Sequence, residues 1–129
     1  MATESKPRPS VLLLEDDTHL AEMIQLSLGG EFEIDRAANA EEAKGLLGAR
    51  TFDVLLCDHM MPGAQQGLEF LVEAMQYQPK ARRILMTGYI NPDLIARSIT
   101  VAGLAACMIK PFEMSELRRQ LQQCARPDR

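Results

Sequence analysis

Three runs of consecutive apolar residues, Val11 to Leu14, Val54 to Cys57 and Ile84 to Met86, constrain the fold of this chain more than any other feature. Each is of strand length, too short for a buried helix, and none alternates with polar residues, so each must be covered on both faces. Cys107 to Ile109 forms a fourth run of the same kind. Segments of helical period separate the runs, and the strand–helix alternation recurs five times. That order predicts a doubly wound α/β fold: a five-stranded parallel sheet with helices on both faces.

The helices carry their own signals. Leu20, Met23, Ile24, Ser27 and Leu28 fall on one stripe after a cap at Asp17 or Thr18, and Gly29-Gly30 ends it. Asn39 with Glu42 three residues on forms a capping-box pattern ahead of Ala43, Leu46 and Leu47. Leu68, Leu71, Val72 and Met75 predict the inward face of a third helix. A fourth opens at Asn91-Pro92, where proline's missing N–H costs nothing, and faces inward through Leu94, Ile95, Ser98, Ile99 and Ala102. Met114, Leu117 and Leu121 line the fifth, with Arg118-Arg119 outward. Residues 1–9 read as a loose leader, 10–125 as one folded unit and 126–129 as a short tail.

Charge and cysteine content exclude several functions. Fourteen basic against 18 acidic residues give a net charge of −4, which disfavours a nonspecific grip on nucleic acid. No apolar run approaches the roughly 20 residues that span a bilayer, and the leader lacks the apolar centre of a secretion signal. A cytoplasmic protein is expected. Cys57, Cys107 and Cys124 show no metal-ligand spacing and read as reduced packing residues.

In a parallel sheet, the residues just beyond the carboxyl ends of the strands gather at one rim. Here that rim receives Glu15, Asp16, Asp58, Thr87 and Lys110. Asp58 stands between its strand and the Pro62-Gly63 turn, which predicts a solvent-facing carboxylate. Three carboxylates near 4 Å apart repel by roughly 4 kcal/mol per pair at an effective dielectric near 20, so a cation must offset them. Lys110 supplies one charge. An all-oxygen set suits Mg²⁺, with Mn²⁺ as the alternative, whereas zinc prefers His or Cys. The economical chemistry is attack by Asp58 on a phosphoryl group, with Thr87 donating to one phosphoryl oxygen and Lys110 neutralising another. Asp17 reads as a helix cap, and His19 and His59 as solvent-facing.

Glu15-Asp16, Asp58 within Asp58-His59-Met60-Met61-Pro62-Gly63, Thr87-Gly88 and Lys110-Pro111-Phe112 together resemble the receiver domain of two-component response regulators. The resemblance covers nearly all of the folded unit, and the set in this order is far more specific than any one motif. It implies a flavodoxin-like fold with Asp58 as phosphoacceptor. It further implies a cation held by Glu15, Asp16, Asp58 and the Met60 carbonyl, and a cis Lys110-Pro111 peptide. The implied donor is a histidine kinase or phosphotransfer protein, with His19 beside its docking helix. The receiver would signal to an effector protein or an attached output domain, and dimerisation through the fourth and fifth helices is compatible with it. Such a domain catalyses only its own phosphorylation and dephosphorylation.

Three departures matter. Cys107 stands where most receivers carry an aromatic whose rotation reports phosphorylation, and this motivates a second reading as a pseudo-receiver that binds partners without a phosphorylation cycle. The turn Ala64-Gln65-Gln66-Gly67 is one residue longer than usual and lacks the aspartate before the glycine. Bulky Met60 and Tyr89, two residues beyond Asp58 and Thr87, predict slow self-dephosphorylation. A phosphatase would need an acid where Met60 stands, and a flavin site would need a phosphate cradle where Glu15-Asp16-Asp17 stand.

Overall fold

A computed structural model of the chain describes residues 8–59, 67–88 and 92–125, apart from the side chains of residues 92, 94, 95 and 98. Expectations placed on the leader before Arg8, on Met60 through Gln66, on Tyr89 and Asn91, on the side chains of Leu94, Ile95 and Ser98, and on the tail after Ala125 lie outside the described residues.

Ten elements alternate without exception: β1 (Ser10–Leu14), α1 (Thr18–Leu28), β2 (Glu33–Ala37), α2 (Ala40–Ala49), β3 (Val54–Asp58), α3 (Gly67–Tyr77), β4 (Arg82–Thr87), α4 (Pro92–Ala102), β5 (Ala106–Ile109) and α5 (Met114–Ala125). The strands form one parallel sheet in the order β2-β1-β3-β4-β5. This is the predicted doubly wound fold. No described helix is long and apolar enough to cross a membrane.

The unbroken apolar runs are explained by two cores, because successive strand residues point to opposite faces. Leu12, Leu14, Leu55, Cys57 and Leu85 pack on one face with residues of α2, α3 and α4. Val11, Leu13, Val54, Leu56, Ile84 and Met86 pack on the other with α1 and α5. β2, at the edge, is instead polar and half-covered, and Arg50 pairs across it with Glu33 and Asp35. Charge on an edge strand discourages pairing with another chain.

Three predicted helix faces are corrected. On α1 the buried positions are Ala21, Ile24 and Leu28, while Met23 is 44% exposed and Ser27 is exposed. A small alanine lets the helix approach the sheet more closely than a methionine there would. On α3 Phe70, Leu71 and Ala74 are buried, and Leu68, Val72 and Met75 lie at the margins. The α4 face is corrected at Ile99, which is exposed, while Ala102 is buried as expected. Arg118 and Arg119 lie on the outer side of α5 as expected, and there Arg118 pairs with Glu31 at 3.0 Å.

The caps follow the sequence closely. Asp17 Oδ1 accepts from His19 N and Leu20 N at 3.0 and 3.3 Å. Asn39 Oδ1 accepts from Glu42 N at 2.9 Å, and the Glu42 carboxylate returns to Ala38 N at 2.8 Å. Asn39→Ala is expected to cost about 1 kcal/mol, measured by urea unfolding; an unchanged midpoint would mean that Ala38–Glu42 alone holds the α2 start.

Candidate functional site

The register puts Asp58, the last residue of β3, opposite Met86, and Thr87, the last of β4, opposite Ile109. Glu15 follows β1 directly, and its N–H extends the ladder to the Ala37 carbonyl at 3.0 Å. Lys110 follows β5, and its N–H donates to the Thr87 carbonyl at 2.8 Å. The Lys110-Pro111 peptide is cis. Four strand ends thus converge through main-chain bonds before any side chain is considered.

The side chains then meet around one ammonium. Lys110 Nζ lies 3.1 Å from Glu15 Oε1 and 3.1 Å from Asp58 Oδ1. Glu15 Oε2 accepts from Asp17 N at 3.1 Å. Glu15 is fully buried, Thr87 is buried, and Asp58 is only 5% exposed. The sequence-based expectation of a solvent-facing Asp58 is therefore corrected: the residue is buried, its carboxylate paired with Lys110, and only Asp16 of the three acids is exposed.

Burial opposes charge on the two enclosed acids. It raises the Glu15 carboxyl, further aided by Asp58 and countered by the Asp17 N–H and Lys110. Burial likewise raises Asp58, with Asp16 adding to the rise and Lys110 opposing it. For Lys110 burial alone works downward, but the attraction of Asp58 and Glu15 outweighs it and the ammonium is stabilised.

One carboxylate oxygen from each of Glu15, Asp16 and Asp58 lies within 4.8 Å of the others. Three carboxylates against one lysine leave two negative charges, the complement of a divalent cation. The all-oxygen donors, two of them buried, fit a hard ion such as Mg²⁺. Met60, expected to add its carbonyl, lies outside the described residues.

Two features were not singled out in the sequence. A Cβ on Gly67 would stand 1.9 Å from the Asp58 carbonyl oxygen, so α3 starts hard against the backbone of Asp58. The glycine beside a turn was the available signal, but only the tertiary contact gives it meaning. Arg36 of β2 donates to the carbonyls of Glu15 and Asp16, and nothing in its sequence position distinguishes it from a solvated edge charge. His59, expected to face solvent, is half-buried. Its Nδ1 is enclosed and makes no hydrogen bond among the described residues.

Comparison with known proteins bears on this arrangement. The family model described as "response regulator receiver domain" matches residues 11–122. The hydrogenase transcriptional regulatory protein HoxA of Cupriavidus necator is 32% identical over 108 residues, covering 84% of this chain and 22% of HoxA. The response regulator protein PilR of Pseudomonas aeruginosa is 27% identical over 112 residues, covering 86% of this chain and 25% of PilR. The chain thus spans about a quarter of the length of these relatives. Among solved structures, the signal receiver domain of an HD domain-containing protein from Pseudomonas fluorescens superposes with a TM-score of 0.85 at 28% identity, covering 92% of this chain and 94% of that one. A CheY-like response regulator receiver domain protein from Methanospirillum hungatei gives 0.83 at 25% identity, covering 91% and 93%.

Proposed function

This chain belongs to the response-regulator receiver family, and from that premise we propose that it is a phosphoacceptor switch in which Asp58 takes a phosphoryl group from a phosphohistidine. The receiver unit is residues 10–125. The observation that carries the reading is the single Lys110 ammonium 3.1 Å from both Glu15 and Asp58 at a rim where the acids outnumber the cations.

An Asp58 carboxylate oxygen attacks phosphorus, a P–O bond forms, the donor's P–N bond breaks, and its electron pair leaves on the imidazole. Lys110, already a partner of Asp58, stays within reach of the charge that the phosphoryl group brings. The Thr87 hydroxyl donates to a phosphoryl oxygen, and Glu15 holds Lys110 in place. Glu15, Asp16 and Asp58 would hold Mg²⁺, or Mn²⁺, with the Met60 carbonyl. When bound, the ion gathers and neutralises phosphoryl oxygens. The chain catalyses only its own modification. It works in the cytoplasm, where its three free thiols stay reduced.

A groove of about 400 Å³ beside Lys110, walled by Leu20, Met23, Pro111 and Phe112, supports docking of the donor protein. Met23→Lys is expected to slow transfer from a phosphohistidine protein roughly tenfold, the size of a lost apolar contact of about 1.4 kcal/mol, and to slow labelling by acetyl phosphate far less. Equal slowing in both assays would move the docking surface elsewhere. Downstream, the receiver binds an effector or governs an attached output domain. Cys107, half-buried beside Leu85, is too small to swing as an aromatic ring would, so the message travels by another route.

The test is incubation with Mg²⁺ and acetyl phosphate or phosphoramidate, followed by intact mass spectrometry. A phosphoryl adduct is expected on the wild type and none on Asp58→Asn. No adduct on the wild type would overturn the reading in favour of the pseudo-receiver, and steady turnover of phosphomonoesters would favour a phosphatase.

A further inference from the structure

Arg36 lies outside the acidic site, yet it grips the loop that delivers two of the site's carboxylates. Its Nε donates to the Glu15 carbonyl at 3.0 Å, and its Nη2 donates to the Asp16 carbonyl at 3.3 Å and reaches Thr18 Oγ1 at 3.5 Å. The next residue of β2, Ala37, accepts from Glu15 N at 3.0 Å. One strand end therefore holds the Glu15 N–H, the Glu15 carbonyl and the Asp16 carbonyl in succession.

The two acids need this grip unequally. The Glu15 carboxylate has its own anchors in Lys110 and the Asp17 N–H. Asp16 is exposed, and Asp58 beside it is a like charge. Repulsion between neighbouring carboxylates favours an open loop, reached by rotating the peptides on either side of Asp16. Rotation about either peptide would break a bond to Arg36. A guanidinium suits the task, because its rigid fork spans two carbonyls.

We propose that Arg36 is a positioning residue for the acidic site, holding Glu15 and Asp16 through their main-chain carbonyls in the arrangement that a divalent cation requires. The proposal rests on the reading of Glu15, Asp16 and Asp58 as a cation site. Loss of an outer partner that orients metal ligands commonly weakens binding 10- to 100-fold.

The experiment is calorimetric titration of the protein with Mg²⁺ alone, without phosphodonor, for the wild type, Arg36→Met and Arg36→Lys, alongside thermal unfolding without metal. Methionine keeps an apolar stem but loses the charge and both bonds. Lysine keeps the charge as a point that cannot fork. Binding is expected to weaken about tenfold or more in Arg36→Met and by an intermediate factor in Arg36→Lys, with both variants folded. Wild-type affinity in both variants, even with a lowered unfolding midpoint, overturns the proposal and leaves Arg36 a structural residue. Wild-type affinity in Arg36→Lys alone also overturns it, since charge would then suffice. If Arg36→Met does not fold, Arg36→Lys decides by the same criterion. Absence of Mg²⁺ binding by the wild type overturns the cation-site reading itself, an outcome distinct from wild-type binding that the variants share.

Discussion

Asp58→Asn is expected to raise the thermal unfolding midpoint at neutral pH by roughly 5 °C while abolishing the phosphoryl adduct. Asp58 is buried beside two other acids, and burial raises its carboxyl above the ordinary range. A group whose folded pKa is raised contributes stability that is fully present below its unfolded value and is lost as pH rises through the folded value. At neutral pH the ionised Asp58 therefore opposes folding. Asparagine removes that charge and can still accept from Lys110, whose attraction to Glu15 remains. A change of about 1 kcal/mol moves the midpoint by several degrees in a domain of this size. The advantage over wild type should be greatest above the folded Asp58 pKa and close as pH falls through the carboxylate range. Mg²⁺ should raise the wild-type midpoint and move that of the variant much less. A variant less stable than wild type at neutral pH would show that the Lys110–Asp58 pair outweighs the cost of burial.

Gly67→Ala is expected to destabilise the fold by about 3 kcal/mol and to depress labelling of Asp58. In an ordinary helix position the same change gains up to about 1 kcal/mol, because alanine is the better helix former. The clash decides the sign. The added Cβ would lie 1.9 Å from the Asp58 oxygen and 2.8 Å from its carbonyl carbon. These are main-chain atoms at the end of a central strand and cannot rotate aside as a side chain would. Either α3 retreats or the end of β3 moves, taking Asp58 with it. Urea unfolding and acetyl phosphate labelling measure the two consequences. A variant as stable and as readily labelled as the wild type would refute the close approach.

Much of this fold was legible because its signals are local. Unbroken runs such as Leu12-Leu13-Leu14 admit few environments besides the centre of a parallel sheet, and Asp17 and Asn39 cap helices through bonds within three residues of themselves. Helix faces were less legible. Hydrophobicity favoured Met23 over Ala21 and Met75 over Ala74, but a helix lying on a sheet selects for size as well as for polarity. The site was legible as a set of residue types, since βα order alone sends Glu15, Asp16, Asp58, Thr87 and Lys110 to one rim. Its partners were not: Arg36 is 21 residues from Glu15, and that hydrogen bond exists only because β2 pairs with β1.

The sequence by itself determined the α/β alternation, the parallel sheet and which residues reach its carboxyl rim, because periodicity and strand length are properties of short segments. Only the tertiary structure decided that Asp58 is enclosed rather than exposed, that one lysine serves two acids, that Gly67 must lack a side chain and that Arg36 holds the acidic loop. Each of these depends on distances between segments far apart in the chain. Packing sets such distances, and with them the desolvation and charge coupling within a cluster of carboxylates.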